Sequence, residues 1–225
     1  MNEQVRDQFN TLSADYDGKR RLIIPCFDEF YGSGIGRLAF TGEAPAVLDV
    51  GAGTGIFSEA LLSRYPKARL TLIDFADSML DIAMMKLDGR ADARYIPDDY
   101  FTHDFKGERY DIVISALSIH HLDADNKRAF YKKVYDLLED GGEFANADIA
   151  CSGDPMTDAN DDALWTAFVT GNLGEGESLD RFIKSKDVDK PSPIPDQLAW
   201  LREAGFQVAE CAFRRLNFAV IYSKK

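Results

Sequence analysis

A chain of 225 residues with 45% hydrophobic content can bury a full core, and its length fits one domain better than two. Its formal net charge of −12 disfavours a nucleic-acid partner, because gripping a phosphate backbone takes many lysines or arginines facing it; a small molecule is the expected substrate. No apolar run reaches the roughly 18 residues of a membrane span, and the stretch MNEQVRDQFN is polar, so neither a span nor a secretory signal is expected and a cytoplasmic protein is.

Cys26, Cys151 and Cys211 are scattered and odd in number, which predicts thiols rather than a disulfide framework, and no pair has metal-ligand spacing, so no metal is expected. The one visible basic cluster, Lys19-Arg20-Arg21, reads as a solvated face.

Residues 1–40 read as a helical cover of two segments, QVRDQFNTLSADYD and KRRLIIPCFDEFYGSGIGRL, broken near Gly18. Its polarity and that break predict a moving lid rather than core. From residue 45 apolar runs near 45–50, 69–74, 92–96, 110–116 and 142–149 alternate with helical patterns through Phe57 to Leu62, Met79 to Leu87 and Phe130 to Leu138. That alternation is the signature of a parallel sheet covered on both faces, here a cofactor-binding core over 45–150. Residues 151–193 leave the pattern, with helix-like DDALWTAFVTGN and the loop KSKDVDKPSPIP. Trp165 and Phe168 argue that this excursion packs down, as a lid-like insertion. A helix and two strands, VAECAFRR and LNFAVIYS, complete residues 194–225, and the short link between the strands requires an antiparallel hairpin.

The stretch VLDVGAGTG, residues 47–55, raises the functional question. Its glycines read G-x-G-x-G, whereas a dinucleotide corner wants G-x-G-x-x-G/A, and the last position here is the branched Ile56. A P-loop fails for want of Gly-Lys-Ser/Thr at the helix start. What remains is a backbone that approaches a ligand without offering lysine to a phosphate, which suits S-adenosylmethionine. Asp74, closing LTLIDF about 20 residues on, has the spacing of a ribose-binding acid; the better helix N-cap is Asp77. Asp49, inside apolar VLDV, is costly to bury unless paired, and either braces the glycine loop or faces the ligand's ammonium group.

On these residues, with YDIVISALSIHHL and the terminal hairpin, the chain resembles the class I (Rossmann-like) S-adenosylmethionine-dependent methyltransferases from about residue 45 onward. The resemblance implies a three-layer α/β fold with a mostly parallel seven-stranded sheet, order 3-2-1-4-5-7-6 with strand 7 antiparallel, and helices on both faces. It implies S-adenosyl-L-methionine bound by Gly51, Ala52, Gly53 and Gly55, by Asp49, by Asp74 with Phe75 and Met79, by Asp99 at the adenine position with Tyr100 beside it, and by Ser115 and Ala116. In SADYDGKRR, which resembles the stretch many small-molecule members fold over the cofactor, Tyr16 and Arg21 are the expected contacts. A homodimer is the candidate assembly.

The sulfonium is already an activated electrophile, so a general base is needed only for a protonated nucleophile. His120 and His121, at the carboxyl edge of the sheet, are the candidates, with His103 a weaker third; structurally, Asp123 caps the helix that follows. A looser resemblance to carboxy-S-adenosylmethionine synthase, an enzyme of tRNA wobble-uridine modification, rests on the N-terminal cover and FRRLNFAVIYSKK. It departs at the glycine-rich GAGTG, and it would seek a basic group for the added carboxylate near Arg181 and Lys184. A non-catalytic cofactor-binding protein is the third alternative.

Overall fold

The computed structural model describes residues 16–225; the first part of the expected N-terminal cover lies outside the described residues. Strands β1 (Ala46–Val50), β2 (Arg69–Asp74), β3 (Asp92–Pro97), β4 (Tyr110–Ala116), β5 (Leu138–Ile149), β6 (Val208–Arg215) and β7 (Phe218–Lys224) form one sheet of order β3-β2-β1-β4-β5-β7-β6. The first five pair in parallel, and β7 runs antiparallel to both β5 and β6. This is the expected topology. Helices α3 (Ile56–Leu62), α4 (Asp77–Leu87) and α5 (Ala124–Leu137) are the crossovers.

Both faces of the sheet are covered. Val47, Ile112 and Ile114 point into one apolar cluster with Phe57 and Leu61, while Leu48, Val50 and Val113 point into the other with Phe130 and Val134. That is why the central strands read as nearly continuous apolar runs, with neighbours in sequence supplying opposite layers.

Helices α1 (Tyr16–Ile23) and α2 (Phe27–Arg37) precede the sheet. The expected break near Gly18 is not there: α1 runs through Gly18, and the chain turns at Pro25, whose ring disfavours helix for the residue before it and removes a donor. Nor is α2 a cover. Phe30 is fully buried and Ile35 nearly so, Phe30 meets Phe218 edge-on at 5.5 Å and Tyr31 meets Phe57 at 5.6 Å. From Ile24 onward the segment is core, because aromatic residues at helical spacing give α2 an inward face that its polar residues hide from a reading of composition. Strand β5 begins at Leu138, directly after α5, earlier than the expected 142; Gly141, at φ +78°, carries the chain around the irregular start.

Residues 151–193 hold helices α6 (Pro155–Leu173) and α7 (Glu177–Ser185). Their two ends are stitched together, since Cys151 N donates to Ser192 O at 3.3 Å and Ile194 N donates to Cys151 O at 2.9 Å. The insertion therefore leaves and rejoins the fold at one point. Trp165 of α6 packs edge-on against Phe182 and Phe218, each at 5.1 Å, and its indole N–H donates to Ile23 O at 2.8 Å. One side chain thus joins α1, α7 and the last strand. Trp165→Ala should lower unfolding free energy in urea by about 3–5 kcal/mol, and Trp165→Phe, which keeps most of the packing and loses the hydrogen bond, by about 1 kcal/mol.

Candidate functional site

Ligands of open α/β sheets bind beyond the carboxyl ends of the strands, beside the crossover connections. Here a recess opens at the ends of β1, β2 and β4, beneath α1 and α2. Its position follows from the glycine corner. Gly51 takes φ +63°, and a Cβ there would meet Ser118 Oγ at 1.9 Å, so only glycine fits. A Cβ on Gly53, at φ +53°, would meet nothing within 4 Å; it would point into open space, which is what a backbone reserved for a ligand requires. On the opposite rim Leu117 holds φ +52°, a conformation costly for a non-glycine residue and found at functional sites.

Asp49 ends up 1% exposed. Its Oδ2 accepts from Ser58 Oγ at 2.6 Å, while Oδ1 is buried with no hydrogen-bond partner among the described residues. Burial, opposed by the Ser58 hydrogen bond and reinforced by Asp74, pushes its carboxyl up to about 7. Asp74 accepts from Gly53 N at 2.7 Å and Ala76 N at 2.8 Å; burial raises its carboxyl against those hydrogen bonds. Asp74 thus clamps the glycine loop to the start of α4 and still faces the cavity. The residue flanking α4 as N-cap is Ala76, not Asp77, and no side chain caps it, because alanine carries no acceptor to offer the first-turn N–H groups.

Of the residues expected to bind cofactor, Asp49, Gly51, Ala52, Gly53, Asp74, Phe75, Met79, Tyr100 and Ala116 line the cavity, as does His121. The others do not. Gly55 packs on α4, where a Cβ would meet Ala83 Cβ at 3.1 Å. Ser115 Oγ donates to Val50 O at 2.8 Å, beneath the floor. Asp99 is a turn residue whose carboxylate accepts from Phe101 N at 2.9 Å. The Tyr16 side chain lies outside the described residues. Arg21 is exposed and forms a two-pronged pair with Asp28 at 2.7 and 2.8 Å, so its neighbour Arg20 reaches the wall instead. A helical wheel could have told them apart, since Arg20 shares a face with Ile23 and Ile24. Asp17 pins α1 over the corner, accepting from Thr54 Oγ1 and from Lys86 Nζ, each at 2.5 Å.

The histidines divide unexpectedly. His120 is 4% exposed and is not in the cavity wall. Its backbone N donates to Asp148 Oδ2 at 2.9 Å, its Nδ1 lies 2.5 Å from Asp148 Oδ1 and its Nε2 3.2 Å from Asp189 Oδ1. Burial alone would lower its pKa, but the two carboxylates outweigh that and raise it to about 9. Both ring nitrogens of His120 face carboxylates and neither faces the cavity, so the structure does not bring this ring to the place expected of a general base. Burial, and then the charge of His120, push His121 down to about 3, so the wall carries a neutral imidazole. His103 sits apart, 2.7 Å from Asp98. Asp123 caps α5 as expected, accepting from Asn126 N at 2.9 Å. Asp148, Asp189, Tyr31 and Thr54 were missed by sequence reasoning. Asp148 lies in an apolar strand, as Asp49 does, and could have been flagged for that reason; Asp189 sits in the loop KSKDVDK with no pattern to mark it.

The donor set fits a ligand that presents cationic groups to Asp49 and hydroxyls to Asp74, with its flat part against Gly53, Phe75 and Met79. Together with the sheet order this defines a Rossmann-like α/β protein with an adenosine-cofactor crevice. Residues 47–142 match the family model for a methyltransferase domain, and that match supports a class I S-adenosylmethionine-dependent methyltransferase with S-adenosyl-L-methionine as its cofactor. It is 33% identical over 99 residues to malonyl-[acyl-carrier protein] O-methyltransferase 1 of Ilyobacter polytropus, a match covering 44% of this chain and 36% of that protein. It is 26% identical over 228 residues to carboxy-S-adenosyl-L-methionine synthase of Helicobacter hepaticus, covering 95% of this chain and 92% of that one. The fold matches a chain from the complex between the Haloferax volcanii Trm112 methyltransferase activator and a methyltransferase, with TM-score 0.71, 16% identity and coverage of 98% and 96%. Among the described residues no helix is long and apolar enough to cross a membrane.

With its carboxyl near 7, Asp49 becomes anionic as pH rises through that value, so a cationic ligand should bind better on the alkaline side. S-adenosylhomocysteine affinity measured by calorimetry should be roughly five- to tenfold weaker at pH 6 than at pH 7.5. Asp49→Asn should weaken binding at both pH values and abolish the difference between them.

Proposed function

We propose that the protein transfers a methyl group from S-adenosyl-L-methionine to a nucleophile on a small molecule. The observation that carries this is the buried, unpartnered Asp49 oxygen in the same wall as the open face of Gly53 and the carboxylate of Asp74. An acceptor left unsatisfied in the interior costs about 1–3 kcal/mol, and an ammonium group removes that cost. Bound cofactor supplies an electrophilic methyl on sulfur. The chain's own contribution is positioning and exclusion of water, and positioning alone can lower a barrier by about 7–11 kcal/mol. A cavity roofed by α1 admits a small substrate more readily than a polymer, in keeping with the net charge of −12. His121 is the histidine in that wall, but burial leaves it too weakly basic to take a substrate proton near neutral pH, and Arg20 is the wall cation suited to an acidic substrate.

A second reading stays with the fold and changes the reaction. The likeness to carboxy-S-adenosyl-L-methionine synthase runs along nearly the whole chain, and Arg20 in the wall suits a carboxylate on the cofactor. Arg181 and Lys184 do not serve that purpose, since both are exposed on α7 and Arg181 pairs with Glu177 at 3.1 Å.

Mass spectrometry of the adenosine compound that co-purifies separates these readings: S-adenosylmethionine or S-adenosylhomocysteine is expected, and a carboxylated cofactor would establish the second. Asp74→Ala should weaken binding of S-adenosylhomocysteine at least tenfold, and unchanged affinity in a folded variant would remove the ribose assignment. With labelled cofactor and an accepted substrate, His121→Ala should lower turnover by less than about tenfold, the loss expected of a wall residue too weakly basic to act as general base, while cofactor affinity stays within about threefold. Equal turnover in that variant leaves positioning as the whole mechanism.

A further inference from the structure

Behind the cavity wall, three potential metal-ligand side chains from two parts of the chain converge. His120 and His121 come from the short turn Ile119–His121 after β4, and Asp189 from the returning limb of the insertion. One ligand atom from each lies within 4.8 Å of the other two. We propose that His120 Nε2, His121 and Asp189 Oδ1 form a binding site for a divalent transition-metal ion of the zinc or cobalt type, at the border between the cofactor cavity and the insertion.

The spacing is that of ligands around an ion. Nitrogen and oxygen donors at about 2.0–2.2 Å from a metal stand about 3.0–3.5 Å from each other in tetrahedral or octahedral arrangements. Asp189 Oδ1 is 3.2 Å from His120 Nε2 and 3.5 Å from His121 Nδ1, and the three ligand atoms lie within 4.8 Å of one another, so the imidazole rings must draw together to admit the ion. It takes the place of the proton between Nε2 and the carboxylate, and that proton leaves to solvent.

The supporting residues are arranged as metal sites arrange them. Asp148 receives both the Nδ1 side of His120 and its backbone N–H, and its Oδ1 accepts from Ile149 N at 2.9 Å as well. A carboxylate on Nδ1 fixes the ring and turns Nε2 outward, as a ligating histidine needs. Asp189 is held from the other side, because Lys190 N donates to His120 O at 2.9 Å and ties the two segments together beside the donor atoms. Two imidazoles and one carboxylate favour zinc, cobalt, nickel or iron over magnesium or calcium, which prefer all-oxygen sets. Three protein ligands leave positions for water or a substrate oxygen, and His121 belongs to the cavity wall as well.

The site can be tested with the metal alone, whatever the reaction proves to be. Tag-free full-length protein, stripped with chelator and titrated with Co²⁺, should take up one equivalent with a visible d–d spectrum, and Zn²⁺ should displace it. Proton NMR of the cobalt form should show paramagnetically shifted ring signals from two of the three histidines, leaving His103 unshifted. Asp189→Asn, with His121→Gln as the second variant, should weaken Co²⁺ binding at least tenfold, while each retains the wild-type circular dichroism. Absence of stoichiometric uptake by the wild-type protein overturns the proposal, as does a shift confined to His103 or wild-type affinity in both variants.

Discussion

A carboxylate buried near the end of β1, an interior strand of the sheet, is the constraint on which the rest of the site depends. Asp49 satisfies one oxygen through Ser58 and leaves the other without a partner among the described residues, an arrangement that costs stability unless a ligand completes it. The fold builds a recess around that cost. The chain turns through left-handed glycines directly after the strand, Asp74 of the next strand holds the turn by Gly53 N, and Asp17 of α1 reaches down to Thr54. Each of these contacts spends an acceptor on keeping backbone close to an empty-handed carboxylate.

A second constraint governs the insertion. Its returning limb is fastened at several levels: Lys127 of α5, 1% exposed, donates to Ser192 Oγ at 2.9 Å and also to Lys190 O, Lys190 N reaches His120 O, and Gln197 Nε2 donates to Ser192 O at 2.8 Å. Tyr131 in turn donates to Gln197 Oε1 at 2.5 Å. This buried polar network lets residues 186–193, which have little apolar content, sit against the core. It also carries the Asp189 carboxylate to the two histidines. The segment that reads as a loop therefore backs the wall of the site through Asp189, and the surroundings of His120 are decided by residues far from it in sequence.

Trp165 links the two constraints. It holds α6 and α7 to Phe218 of the last strand and to the end of α1, and α1 is the helix that brings Arg20 into the cavity wall. Packing of the insertion and closure over the cofactor site are thereby parts of one structure rather than separate appendages.

Apolar periodicity determined the α/β class, the five parallel strands and the hairpin, because strand alternation with crossover helices and a connection too short for a crossover each leave one solution. The glycine corner with Asp49 and Asp74 was likewise legible, since both acids stand out against apolar strands and the glycine spacing excludes the other cofactor turns. What the tertiary structure decided is everything that depends on rotation or on distant partners. Helical phase put Arg20 rather than Arg21 in the wall, and aromatic packing made α2 core instead of cover. The turn at 98–102 kept Asp99 out of the cavity although its position in the motif pointed there. Two adjacent histidines, indistinguishable in SIHHL, came to different surroundings, His120 between the carboxylates of Asp148 and Asp189 and His121 in the cavity wall with Asp189 behind it. A local sequence records which side chains are available; electrostatic fields come from whatever the fold brings within a few ångströms, and that is set only when the whole chain has packed.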